Sequence, residues 1–289
     1  MSPTSVIPID DLADPRLADY ADQKESSRRA HAHGGTGLPP GLFIAEGELV
    51  VRHLIASPYY IRSILLTPTR LETIRDALER VPPGTPVYLV SQRVMNAVVG
   101  FNIHRGILAA ADQGEPLRAE ALLRDANVVV ILEDLVNHDN IGGIFRSTAA
   151  LAGPRSAILL SPRCADPMYR KAIRVSMGHV LRIPFATLRP WPEAITQVKT
   201  AGFQVIALTP AADAVDIGEV AARLNTAETR PRIALLIGTE GAGLTEKSLA
   251  AADIRARIPM TRGVDSLNAT TATAIALHRL SPIAPTAGR

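Results

Sequence analysis

Two patterns of apolar and polar positions succeed one another along this chain. From Leu42 to about Asp112, short β-rich runs alternate with stretches whose apolar residues recur at helical spacing. LFIAEG reads as a strand, GELVVRHLIAS places Leu49, Val50, His53 and Leu54 near helical spacing, and IRSILLT is again a strand. LETIRDALERV repeats Leu71, Ile74 and Leu78 on one face, VYLV is a strand, SQRVMNAVVG is a helix behind a Ser91 cap, and GILAAA closes the unit. This predicts a small α/β domain. From Asn127 the alternation is stronger. NVVVIL is uniformly apolar, as suits a parallel strand covered on both faces, and the pattern recurs as SAILL, VLRIPF, FQVIAL and RIALLIG with helical stretches between. That predicts a doubly wound sheet.

The flanking segments carry less. The first forty residues read as an arm, and HGGTGLPPG, rich in glycine and proline, reads as a flexible connection. Gln113-Gly114-Glu115-Pro116 breaks the pattern and opens a linker, while the tail SPIAPTAGR has nothing to bury. The expected organisation is an arm and connection over 1–41, a small domain over 42–112, a linker over 113–126, a larger domain over 127–281 and a flexible tail over 282–289.

Composition narrows the function classes. With 289 residues and 47% hydrophobic content, the chain can bury a substantial core. Its start has neither a basic leader nor an apolar h-region, and no apolar run approaches a membrane span, so a soluble cytoplasmic protein without a membrane partner is expected. Cys164 is the sole cysteine, which excludes an intrachain disulfide and a cysteine-based zinc site; His31 and His33 have no further ligand nearby, so no metal is expected. The net charge of +3 is unevenly placed: residues 1–126 carry 13 Lys/Arg against 15 Asp/Glu, and residues 127–289 carry 18 against 13. Arg163, Arg170, Lys171 and Arg174 cluster in one short basic segment, which suits either phosphate contact or a solvated helix face.

Three stretches of the larger domain bear on chemistry. GTEGAG, Gly238 to Gly243, spaces its glycines as GxxGxG, which is neither a dinucleotide fingerprint nor a triphosphate-binding loop. It allows close backbone approach by an uncharged adenosine-like group, or simply a tight turn after a buried strand. In VNHDNIGGIFRSTAALAG, Asn140 is placed to cap a helix beginning at Ile141, and Gly142 and Gly143 let that helix start close to the strand edge. Arg146 interrupts an otherwise small, apolar face, so it either pairs with an acid such as Glu133 or Glu240 or faces an anionic ligand. In SLNATTATAIAL, Ser266 and Asn268 precede an Ala/Thr-rich helix whose low bulk permits close approach by another segment.

In this order, VNHDNIGGIFRSTAALAG, LLIGTEGAGLT and IPMTRGVDSLNATTATAIAL resemble the three signature motifs of the SpoU (TrmH-like) branch of the SPOUT RNA methyltransferases. The resemblance implies an α/β catalytic domain whose carboxyl part forms a trefoil knot that binds S-adenosylmethionine. It also implies that Leu42 to Asp112 is a substrate-binding domain similar to RNA-binding ribosomal proteins, and that the protein is a homodimer acting on structured RNA, rRNA before tRNA. On the family's pattern, Asn140, Arg146, Glu240, Ser266 and Asn268 fall at catalytic positions. Gly238, Ile258, Leu267, Thr209, Ile237 and Met260 fall at cofactor-binding positions, and Arg163, Arg170, Lys171 and Arg174, with Ser176 and Gly178, on the RNA side. Two departures stand out: Asn137-His138 replaces a common Asp-Pro, and Thr239 stands where many members have Asn.

The reaction so implied is methylation of a ribose 2′-hydroxyl, with Arg146 holding the neighbouring phosphate and polarising the hydroxyl rather than acting as a literal base, because an arginine is effectively never deprotonated. Two alternatives are weighed beside it. An RNA-binding protein of the same fold without catalysis fits poorly with the retained polar positions, and a small-molecule α/β enzyme fits poorly with the absence of either nucleotide fingerprint.

Overall fold

A computed structural model describes residues 6–21, 41–103 and 105–281. It resolves two compact units, one formed by the chain up to Glu115 together with Met168–Leu181, the other by Pro116–Pro167 and the chain from Arg182 onward.

In the first unit, β1 (Val6–Pro8), β2 (Leu42–Glu46), β3 (Tyr60–Leu66), β4 (Val87–Leu89) and β5 (Ile107–Asp112) form a mixed sheet in the order β1-β4-β3-β5-β2. The helices α1 (Glu48–Ile55), α2 (Pro68–Leu78) and α3 (Gln92–Val99) connect these strands. Local chemistry sets their ends: Pro68 opens α2, where its missing N–H costs nothing, and the Ser91 side chain caps α3 by accepting from the Val94 N–H at 3.2 Å. Gly100 ends α3 in the left-handed region at φ 82°.

Residues 6–21 correct the expected arm. β1 pairs in parallel with β4, and the 3-10 turn Pro15–Tyr20 buries Leu17 and Tyr20 in this unit's core. The Tyr20 hydroxyl bonds Ser63 at 2.8 Å, and burial raises its pKa well above the ordinary phenol value. A three-residue strand shows no readable periodicity, and Pro8 is tolerated because β1 lies at the sheet edge. The glycine and proline connection around His31 and His33, and the tail beyond Ser281, lie outside the described residues.

The second unit begins with α4 (Ala119–Asp125), inside the expected linker: Ala119, Leu123 and Ala126 belong to its core, so this segment is part of the fold. There follow β6 (Val128–Leu132), α5 (His138–Leu151) and β7 (Ser156–Leu160). The chain then contributes α6 (Arg170–Val175) and a 3-10 turn, His179–Leu181, to the first unit. It returns as β8 (Phe185–Thr187), α7 (Ile195–Thr200), β9 (Phe203–Leu208), β10 (Val215–Asp216), α8 (Ile217–Thr226), β11 (Arg232–Ile237), α9 (Glu246–Ala251), β12 (Ile254–Arg257) and α10 (Ala269–Leu280). The seven strands are parallel, in the order β10-β12-β9-β11-β6-β7-β8.

The doubly wound expectation therefore stands as a seven-stranded parallel sheet. VLRIPF is corrected: Val180 and Leu181 lie in the 3-10 turn and only Phe185 enters a strand. β10, two residues long, was not anticipated, whereas β12, which alternates with arginines, is the strand expected to lead into IPMTRGVDSLN. Among the described residues no helix is long and apolar enough to cross a membrane.

Candidate active site at the carboxyl ends of the sheet

Strand order reverses around β6 and β11, and open α/β sheets bind ligands at the carboxyl side of such a switch. The loops following β9, β11 and β12 enclose a cavity of about 330 Å³. Thr209, Ile237, Gly238, Ile258, Met260 and Leu267, from four separated stretches of sequence, all line it. Its walls are largely apolar. Glu240 and Asp265 contribute carboxylates, and among the described lining residues there is no Lys, Arg or His.

Both sequence readings of GTEGAG coexist. The loop is a tight turn closed by Thr239 N–H to Gly243 O at 3.2 Å and Gly243 N–H to Thr239 O at 3.1 Å. It also brings its backbone to the cavity. A Cβ on Gly238 would fall 2.3 Å from the Gly243 carbonyl carbon, so the closed turn requires glycine there.

Helix α5 starts earlier than expected. It begins at His138 and is capped by Asn137, whose side chain accepts from the Asp139 N–H at 2.8 Å. Asn140 is therefore not the cap, and His138 is the first residue of the helix. Asn140 lies in the first turn, 5% exposed, and is available for a different use. Its Oδ1 accepts from Asn268 Nδ2 at 2.9 Å. Asn268 caps α10, its Oδ1 accepting from the Thr270 and Thr271 N–H groups at 3.0 and 3.2 Å, and its Nδ2 also donates to Glu240 Oε1 at 2.6 Å. Asn140, Glu240 and Asn268 thus meet in one hydrogen-bonded cluster, while Ser266 is exposed on the cavity rim. The small residues have a visible purpose: a Cβ on Gly143 would come within 2.7 Å of the Thr270 side chain, so glycine lets α5 and α10 approach.

Arg146 is exposed rather than set in a buried face, which corrects the sequence expectation. It makes no hydrogen bond or ion pair with any described residue, and both acids considered as partners are engaged elsewhere. Glu133, 1% exposed, accepts from Trp191 Nε1 at 2.8 Å, from the Thr245 N–H and hydroxyl at 3.0 and 2.9 Å, and from the Ser248 hydroxyl at 2.7 Å. It fastens the exit of the GTEGAG loop to the end of β6. Sequence reasoning treated Glu133 only as a partner for Arg146; an acid directly after a wholly apolar strand was the available signal of a buried, satisfied carboxylate.

The four basic residues divide between the two units. Arg163 belongs to the second unit and pairs with Asp134, whose carboxyl it holds below the usual carboxylate range, assisted by the Ser161 hydroxyl. Arg170, Lys171 and Arg174 belong to the first unit. There the Arg170 and Arg174 guanidinium groups lie 3.8 and 3.9 Å from buried Glu46, and Arg170 also packs over the Phe101 ring at 5.0 Å. Ser176 and Gly178 are in that unit too: the Ser176 hydroxyl donates to Ile173 O at 2.8 Å, and Gly178, at φ 84°, abuts His53. Burial raises the Cys164 thiol pKa. Among the described residues no group of three or more His, Cys, Asp or Glu side chains is arranged to hold a metal ion.

Comparison with known proteins places this geometry. Residues 127–278 match the family model described as SpoU rRNA Methylase family. An uncharacterised tRNA/rRNA methyltransferase of Mycobacterium tuberculosis is 42% identical over 270 residues, covering 93% of this chain and 89% of the relative. The 23S rRNA (guanosine(2553)-2'-O)-methyltransferase RlmP of Bacillus subtilis is 27% identical, with coverage of 82% and 88%. An AdoMet-bound rRNA methyltransferase structure from Sinorhizobium meliloti superposes with a TM-score of 0.71 at 25% identity, over 95% of this chain and 97% of that one. The family model covers more than half of the sequence, the mycobacterial relative nearly all of it, and on both grounds the chain belongs to the SpoU rRNA methylase family.

Proposed function

We propose that the protein transfers a methyl group from S-adenosylmethionine to a ribose 2′-hydroxyl of a structured RNA, with rRNA favoured over tRNA. One observation carries the reading: an apolar cavity with carboxylates and no cation in its described lining, beside the Asn140–Asn268–Glu240 cluster. Such a cavity suits an adenosyl group with a positively charged sulfonium and ammonium, and disfavours a phosphate-bearing nucleotide. Leu208, Ile237, Ile258, Met260 and Leu267 would flank the adenosyl portion, with the backbone at Gly238 close against it. When bound, the cofactor supplies an electrophilic methyl carbon.

The chain's own residues supply position and charge. Arg146, exposed and without a partner among the described residues, binds the phosphate next to the target ribose and stabilises the 2′-oxygen as its proton leaves to phosphate or water. The first unit binds the RNA. Ribose as the site and rRNA as the substrate are supported by the names of RlmP and of the rRNA methyltransferase from Sinorhizobium meliloti. In this reading the segment leading into α10 threads through the preceding loops as a trefoil knot, which would account for Thr209, Gly238, Ile258 and Leu267 lining one cavity. Two copies pair through the motif loops, where Val136 and Val264 are 71% and 50% exposed.

Calorimetry should detect S-adenosylmethionine or S-adenosylhomocysteine and no NAD; absence of either adenosyl ligand refutes the cofactor. Mapping ribose methylation across total RNA with and without the gene should reveal one lost 2′-O-methyl site. An unchanged map would reduce the protein to an RNA binder. Sedimentation at micromolar concentration should give a dimer, and a fully active monomer would remove that part.

A further inference from the structure

The hydrogen bonds around Asn268 determine which way two side-chain amides face. Asn268 Oδ1 receives two backbone N–H groups, so its Nδ2 must be the atom that faces Asn140 and Glu240. Turned over, Asn268 would set N–H groups against the Thr270 and Thr271 amides and a carbonyl oxygen against the Glu240 carboxylate. The orientation is therefore dictated by neighbours that cannot change sign. Asn140 must then present Oδ1 to Asn268, which leaves its Nδ2 as the outward atom. Asn140 is 5% exposed, and Nδ2 finds no acceptor among the described residues. Nδ2 is not among the fully buried unpaired atoms, so this donor keeps an opening to solvent through which a ligand oxygen can reach it, and the same Asn268 that orients it also holds cavity-lining Glu240.

We infer that Asn140 Nδ2 is a donor reserved for the ribose 2′-oxygen of the RNA nucleotide to be methylated, and that Asn268 is the positioning residue that sets its polarity. This rests on the RNA 2′-O-methyltransferase reading given above. A donor on one lone pair of the 2′-oxygen fixes the direction of the other, which is an orientational role distinct from the phosphate contact of Arg146. Neither Asn140 nor Asn268 can perform it alone: without Asn268 the Asn140 amide is free to rotate by half a turn and offer its oxygen instead.

The test combines two kinds of variant with two readouts, methyl transfer to RNA at saturating S-adenosylmethionine and cofactor affinity by calorimetry. Asn140→Asp keeps the acceptor for Asn268 and the side-chain shape but removes the donor; transfer should fall roughly thirtyfold or more with cofactor affinity within about threefold. Asn268→Ser keeps a helix cap but loses both donated bonds, and transfer should fall about tenfold. In an Asn140→Ala background the same Asn268→Ser change should cost clearly less than its roughly tenfold loss in the wild type, the remainder being the share of the Glu240 contact, because the route through Asn140 is gone. A purely structural Asn268 would give additive losses and lowered melting temperatures throughout, and that result overturns the inference. So does Asn140→Asp at wild-type rate. A wild-type protein that methylates no RNA refutes the underlying reading instead, so the two failures are distinguishable.

Discussion

The two ends of the second unit's sheet each have an arginine close by, and the two are used in opposite ways. At the amino ends, Arg232 opens β11 with its guanidinium fully engaged: Nε donates to Ala126 O and Nη1 to Ala201 O, each at 3.0 Å, and Nη2 to Leu123 O. It also lies over the Phe203 ring at 4.0 Å. These carbonyls belong to the chain ends leading into β6 and β9, so one side chain closes off groups that helix termini leave unpaired. At the other end, Arg146 on α5 makes no bond to any described residue. Glutamates divide the same way, but within the carboxyl end: Glu133 is buried under four hydrogen bonds, while Glu240 is exposed on the cavity with one partner among the described residues, Asn268. Where donors and acceptors are matched internally, the group serves the fold. On the proposed function, exposed Arg146 and cavity-lining Glu240 are the groups that meet a ligand.

Substitutions at the two ends should therefore separate stability from chemistry. The largest effect is expected from Gly238→Ala, which sets a methyl group against the Gly243 backbone and opens the turn. S-adenosylmethionine affinity should fall by roughly a hundredfold or more, the scale of a few kcal/mol of overpacking. A calorimetric titration matching the wild type would show that the loop does not hold the cofactor. Next, Arg146→Ala should lower methyl transfer by roughly a hundredfold while leaving the fold and cofactor binding nearly unchanged. Lysine should rescue poorly, since a point charge does not reproduce a planar two-oxygen contact. A folded Arg146→Ala protein with wild-type activity would break the contrast between the two ends.

At the amino end the expectation reverses. Arg232→Ala orphans three carbonyls and should cost about 2–4 kcal/mol in denaturant unfolding, with the activity of the folded fraction unchanged. A stable but inactive variant would move Arg232 into the functional class. The smallest effect concerns Asp134, whose pKa is lowered chiefly by Arg163. Its folded pKa lies below the unfolded value of about 3.9, so its contribution is present above that pH and fades as pH falls through the folded value. Wild type should thus exceed Arg163→Ala in unfolding midpoint near neutral pH, and the two should converge in acid. A difference that grows in acid would contradict the pairing.

The sequence by itself determined the alternation of elements. Uniformly apolar runs such as VVVIL and ALLI can only be strands or core, and Ser91, Pro68 and Gly100 mark helix ends through chemistry local to each. Asn140, Arg146, Glu240 and Asn268 were legible in the sequence through the resemblance of their motifs to the SpoU pattern rather than through burial, since all but Asn140 are exposed. Tertiary structure decided what those groups touch. The Asn268 amide bridges residues 28 and 128 positions away, and no local periodicity encodes so distant a hydrogen bond. Likewise, the three-residue β1 owes its place to an edge beside β4, and Met168–Leu181 joins the first unit although its sequence neighbours belong to the second. Short segments take their structure from the surfaces that receive them, because their own few side chains bury too little to specify it.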